Sequence, residues 1–134
     1  MDIPENSLLP FFSYGVFKRG ELGYLRFKDL VESVIDHCAI SGILHVRDGL
    51  PILELSKRRA GGRIYGSLIG FKPRCAGKAY HRILELEPAK QYRWGTIEVD
   101  HPSGPANANV LVGISRRSRK QQKFSKPVSR CNVF

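Results

Sequence analysis

Leu9-Pro10-Phe11-Phe12-Ser13-Tyr14-Gly15-Val16-Phe17-Lys18-Arg19-Gly20-Glu21 runs from an apolar stretch through a Tyr-Gly pair to a basic-Gly step. Residues 9–13 read as a short buried strand, and the chain turns at Tyr14-Gly15. Past Gly20, Leu22, Leu25, Leu30, Val31, Val34 and Ile35 recur at helical spacing, with Arg26, Lys28, Asp29 and Glu32 between them. That pattern predicts a helix over residues 20–35.

The rest of the chain supplies strands and one further helix. Ala39 to Val46 and Leu50 to Leu53 are apolar runs separated by Arg47-Asp48-Gly49, and an Asp-Gly pair in that position signals a hairpin. Pro51 places the second arm at a sheet edge, because proline has no N–H to give a ladder. Lys57 to Gly62 is a basic loop, and Arg63 to Phe71 reads as a strand in which Tyr65 is expected to pack in the core. Cys75 to Glu87 reads as a helix: at ~100° per residue, Ala76, Tyr80, Ile83, Leu84 and Glu87 share one stripe. Glu85 falls on the polar face with Lys78 and Arg82, and Pro88 ends the helix. Gln91 to Val99 and Asn109 to Ser115 read as strands joined by the turn-rich His101-Pro102-Ser103-Gly104-Pro105. Tyr92 and Trp94 alternate along the first of these and share a face, as core or pocket wall.

A chain of 134 residues is one domain by expectation, long enough to bury a core without metal or disulfides. Cys38, Cys75 and Cys131 are far apart and form no CxxC pair, which points to reduced thiols in a cytoplasmic protein. His37, His45, His81 and His101 have no metal-ligand spacing, so no metal and no cofactor is expected. Met1-Asp2-Ile3-Pro4-Glu5 lacks the pattern of a secretory signal, and no apolar run approaches the ~18 residues of a membrane span. The net charge of +10 resembles that of a nucleic-acid-binding protein. However, Arg116, Arg117, Arg119, Lys120, Lys123, Lys126 and Arg130 carry seven of those charges with no acid among them, which leaves +3 for the body. The division expected is a domain over residues 1–115 and a basic, disordered tail over 116–134.

Three segments in order resemble the γ-glutamylcyclotransferase (AIG2-like) family. Phe11 to Glu21 is similar to its apolar strand, Tyr-Gly loop and basic-Gly helix entry. Gly61-Gly62-Arg63-Ile64-Tyr65-Gly66 is similar to its Gly-x-Leu-Tyr strand. Ile83-Leu84-Glu85-Leu86-Glu87 with Tyr92-Arg93 is similar to its acidic helix end and Tyr-x-Arg. The resemblance covers roughly residues 9–115. It implies an α+β fold, a small mixed β-barrel with flanking helices. It also implies a transferase or lyase reaction in which a γ-glutamyl compound cyclises to 5-oxoproline and releases an amine or amino acid.

That reaction needs a near-ring substrate, a deprotonated amine and a supported oxyanion. Glu87 suits the acid/base role, since a carboxylate on an apolar face is desolvated and its pKa rises. Ser13, Tyr14, Gly15, Val16 and Phe17, with Tyr92, are the expected substrate-binding residues. The loop would act through backbone N–H groups, which accommodates Val16 and Phe17 where the family has a small polar residue and leucine. Two other classes remain open on the residues alone: a non-catalytic binder of the same fold, for a small ligand or a protein, and a basic nucleic-acid-binding protein. A nucleic-acid site requires a basic face on the body as well as the tail, and the tail has only Phe124 and Phe134 for base stacking.

Truncation after Arg116 is expected to leave the melting temperature within about 2 °C of the full chain, because a cationic segment without apolar periodicity buries little. A large drop in a thermal melt would show that the tail packs on the domain.

Overall fold

Phe11–Ser13 (β1) is only three residues long, yet it pairs on both sides. The computed structural model describes residues 2–15, 20–55, 62–86 and 91–114. The other strands are Val31–Arg47 (β2), Leu50–Leu55 (β3), Arg63–Phe71 (β4), Tyr92–His101 (β5) and Gly104–Gly113 (β6), and the α-helix is Ala76–Leu86 (α1). Strand order is β3-β2-β4-β1-β6-β5, and the pair Ala39↔Asp100 joins β2 to β5. Five strands thus close a barrel, with β3 attached to β2 outside the ring. All neighbours are antiparallel except β1 and β6, so the barrel is mixed.

Alternation along each strand divides the apolar residues into two cores. Phe12, Cys38, Ile40, Leu68, Val99, Val110 and Val112 fill the barrel. Phe11, Ile69, Phe71, Leu111, Tyr92 and the half-buried Trp94 lie on the outer face, where Tyr80 and Ile83 of α1 cover them. Edge-to-face contacts run through this layer, with Tyr80 within 5.3 Å of both Phe71 and Trp94 and Phe11 6.1 Å away. At its centre the Tyr80 hydroxyl donates to the Leu9 carbonyl at 2.8 Å and accepts from Asn109 Nδ2 at 3.0 Å. Burial pushes the Tyr80 phenol pKa well up, and the hydrogen bond from Asn109 offsets only part of that. The hydroxyl therefore keeps its proton and remains a donor.

The Asp48-Gly49 hairpin forms as predicted: both residues have positive φ, and Arg47 pairs with Leu50 across them. β3, with Pro51, lies at the end of the sheet order. The strand read at 63–71 is β4, the helix read at 75–87 is α1 within a residue of each described end, and the 101–105 connection tightens to a turn between His101 and Gly104. Residues 116–134 lie outside the described residues.

Two readings are overturned. The helix expected over 20–35 is replaced by two 3-10 turns, Leu22–Arg26 and Lys28–Leu30, after which Val31 is extended and β2 begins. The apolar spacing was not a buried stripe: Phe27 and Leu30 are inside, while Leu22 is 82% exposed. Tyr65 is not in the core either. It is 62% exposed, because Ile64 takes the inward position and β alternation turns the next side chain out, under the Arg63 guanidinium at 5.9 Å.

β2 is long enough to need an adjustment of register. Between Ile35↔Leu68 and Cys38↔Gly66, the two residues Asp36 and His37 face the single residue Ser67. This is a β-bulge, with His37 in the left-handed region at φ 61°. The buried Ser67 hydroxyl donates to Asp36 Oδ1 at 2.9 Å.

Gly66 is required by β1. A Cβ there would lie 2.1 Å from the Ser13 carbonyl oxygen and 2.9 Å from the Phe12 ring. Both obstacles are fixed, one being backbone and the other a fully buried ring. Gly66→Ala is expected to destabilise by about 3 kcal/mol in urea unfolding; a loss below about 1 kcal/mol would show that β1 moves aside easily.

Candidate active site

Ser13, Tyr14 and Gly15 lie where β1 leaves the barrel. Ser13 is buried and pairs with Ser67. The half-buried Tyr14 packs its ring against the barrel core, and its hydroxyl donates to the Leu111 carbonyl at 2.6 Å. Gly15 stands next to Pro51, whose Cγ is 3.5 Å from the site a Cβ would take. The Tyr92 hydroxyl donates to the Pro51 carbonyl at 2.8 Å. The loop after β1, the start of β3 and the start of β5 therefore meet at Pro51, and the structure brings together Ser13, Tyr14, Gly15 and Tyr92 of the expected site.

Val16, Phe17 and Glu87 lie outside the described residues. α1 ends at Leu86, and β5 begins at Tyr92, so residues 87–90 connect the helix to the strand that carries Tyr92. Glu85 is exposed, as its place on the polar face predicts. On its other side, α1 is tied to the first 3-10 turn and its neighbour through Arg82, which donates to the Arg26 carbonyl at 3.0 Å and to Asp29 Oδ1 at 2.9 Å.

Beside Tyr92 lies a groove of about 380 Å³ between β2, β3 and the end of β6, lined by His45, Arg47, Ile52, Glu54, Gly113 and Ile114 among others. Gly113 is the pairing partner of Tyr92. At the rim, His45 Nε2 is 3.6 Å from Glu54 Oε1, with both side chains more than half exposed, so this pair adds little stability. Among the described residues, no group of three or more His, Cys, Asp or Glu is gathered as a metal site, and no helix is long and apolar enough to cross a membrane.

No family model and no curated protein matches the sequence. Solved structures do resemble it. An AIG2-like protein from Mus musculus superposes with a TM-score of 0.61 at 18% identity, covering 81% of this chain and 80% of that one. This chain has the γ-glutamylcyclotransferase-like fold. PH0828 from Pyrococcus horikoshii, an uncharacterized protein, shares it at a TM-score of 0.57 and 18% identity, again over 81% of this chain and 80% of that one. YkqA from Bacillus subtilis gives 0.61 and 19% over 78% of this chain, which spans only 35% of YkqA.

Within this γ-glutamylcyclotransferase-like barrel, the partners that sequence reading missed are the Leu111 and Pro51 carbonyls. Pro51 was legible only as an edge marker, and a backbone acceptor has no sequence signal. Tyr14→Phe, which strands the Leu111 carbonyl, is expected to cost about 1–2 kcal/mol in urea unfolding. An unchanged midpoint would show that this bond does not anchor the loop.

Proposed function

We propose that the chain is a γ-glutamylcyclotransferase-like enzyme that converts a small γ-glutamyl amine or peptide to 5-oxoproline and releases the amine or amino acid. The observation that carries this reading is the convergence of Tyr14-Gly15, Pro51 and Tyr92 at one end of the barrel, with Tyr92 opening the strand into which the connection containing Glu87 leads. A site of this kind places its working loops on a rigid scaffold.

The α-nitrogen of the glutamyl group attacks its own γ-carbonyl. One C–N bond forms to close the five-membered ring, and the C–N bond to the leaving amine breaks. Glu87 takes the proton from the attacking amine and passes it to the leaving nitrogen, so the reaction consumes no water and needs no cofactor. Backbone N–H groups of the 14–17 loop support the oxyanion, and holding the substrate in a near-ring conformation supplies on the order of 7–11 kcal/mol at best. The described cysteines, buried Cys38 and half-buried Cys75, are free thiols, in keeping with a cytoplasmic enzyme. The partner is a small molecule rather than a membrane or a nucleic acid.

A screen of γ-glutamyl dipeptides and amines for 5-oxoproline release tests the reading directly. Glu87→Gln is expected to lower turnover by roughly 10²–10⁴ with the circular dichroism unchanged, whereas Glu85→Gln should cost little. The reverse pattern would move the proton shuttle to Glu85, and release from no γ-glutamyl compound would reject the activity.

A further inference from the structure

The groove between the β2–β3 hairpin and the end of β6 takes no part in the reaction proposed above. Alternation turns the Pro51 ring toward Gly15 and sends His45, Arg47 and Ile52 to the other face of the hairpin, where Gly113 and Ile114 complete the groove. Its floor is apolar. Ile52 and Ile114 are both buried, and Ile52 occupies the space that a Cβ at Gly113 would need.

Arg47, half-buried, lies toward the turn of the hairpin. Its Nε donates to Gln91 Oε1 at 3.0 Å and its Nη2 to the Gln91 carbonyl at 3.5 Å. Gln91 is itself aimed: its Nε2 donates to Asp48 Oδ2 at 3.2 Å, which leaves the amide oxygen for Arg47, and its carbonyl also accepts from the Ile114 N–H at 2.8 Å. The guanidinium is thus held along one edge, next to the apolar floor. Of the five N–H groups of an arginine, these bonds use one at Nε and one at Nη2. The other three have no acceptor among the described residues.

An oriented guanidinium fork is complementary to the planar oxygen pair of a carboxylate. The other charges at this groove disfavour a doubly charged anion. Glu54 stands on β3 with its Oε1 3.6 Å from His45, and Asp48 lies in the turn behind Gln91, so a phosphate would meet two carboxylates. A volume of about 380 Å³ is within the range of small-molecule sites.

We propose that this groove binds a small molecule with one carboxylate and an apolar body, the carboxylate on Arg47 and the body on Ile52 and Ile114. The site does not rest on the γ-glutamyl reaction, and no bond or proton is exchanged in it.

The test uses N-acetyl-L-leucine and N-acetyl-L-leucinamide, which share an apolar body and differ only in the carboxylate. Titration of the full chain, followed by NMR, is expected to move the amide signals of Gly113 and Ile114 and the Nε–H of Arg47. The acid should bind roughly 10–100-fold more tightly than the amide, the worth of one hydrogen bond to a charged group. Acetate, which lacks the body, should bind at least about 10-fold more weakly than the acid. Arg47→Met keeps an apolar stem without the fork and should abolish the preference for acid over amide. Arg47→Lys keeps the charge and should retain only part of it. A wild-type protein that binds neither probe, or both equally, overturns the proposal, as does a preference that persists in Arg47→Met. Inorganic phosphate bound as tightly as the acid overturns the ligand class. Should Arg47→Met fail to fold, the wild-type map decides: acid-induced shifts that leave Arg47, Gly113 and Ile114 unmoved overturn the site. None of these readouts involves turnover, so a protein that releases no 5-oxoproline loses the proposed activity and keeps this site.

Discussion

β1 has three residues to satisfy two cores and two neighbouring strands. Phe12 points into the barrel and Phe11 out to the layer under α1, and both are almost completely buried. The strand pairs antiparallel with β4 along its length and parallel with β6 at Phe11, so without it the ring has a gap between β4 and β6. The strand can approach β4 this closely only because position 66 lacks a Cβ. The position of Tyr14-Gly15 follows from this constraint, since the loop begins where the clamped strand ends.

The polar ends of four aromatic residues bind backbone carbonyls across the structure. Tyr14 bonds to Leu111, Tyr92 to Pro51, Tyr80 to Leu9 and Trp94 to Asp2, each within 2.8 Å. Such a bond combines a large buried ring with one directed polar contact, so it fixes a segment in both position and orientation. Because the acceptor is main chain, the side chain at the acceptor position can vary. This form of anchoring is consistent with a fold retained at 18–19% identity to its structural neighbours.

Where one short-range cause decides the backbone, the sequence reads correctly. Asp48-Gly49 supplies the two positive φ angles of a tight hairpin, and the stripe of Ala76, Tyr80 and Ile83 is the buried side of α1. The start of β2 misleads because the strand is covered on both faces. Val34 packs on the outer layer and its neighbour Ile35 on the barrel core, so adjacent apolar residues replace the alternation of a half-exposed strand and imitate a helical stripe. Ser13, Tyr14, Gly15 and Tyr92 were legible as motif residues, and the structure sets Gly15 and Tyr92 against Pro51. The contact of Asp36 with Ser67 was not legible, since it spans 31 residues and depends on a register shift that no local pattern announces.

Pro51 has a second consequence, for how the molecule behaves toward copies of itself. β3 is paired along one side by β2, and the outer side of such a strand is where another chain could add and begin a growing sheet. At Pro51 that extension finds no N–H to accept, and the carbonyl is already held by Tyr92. The residue that supports the loop therefore also withholds the donor that an added strand would need at that position. A substitution that restored the missing donor would weaken this protection against edge-to-edge aggregation even if the hairpin kept its shape.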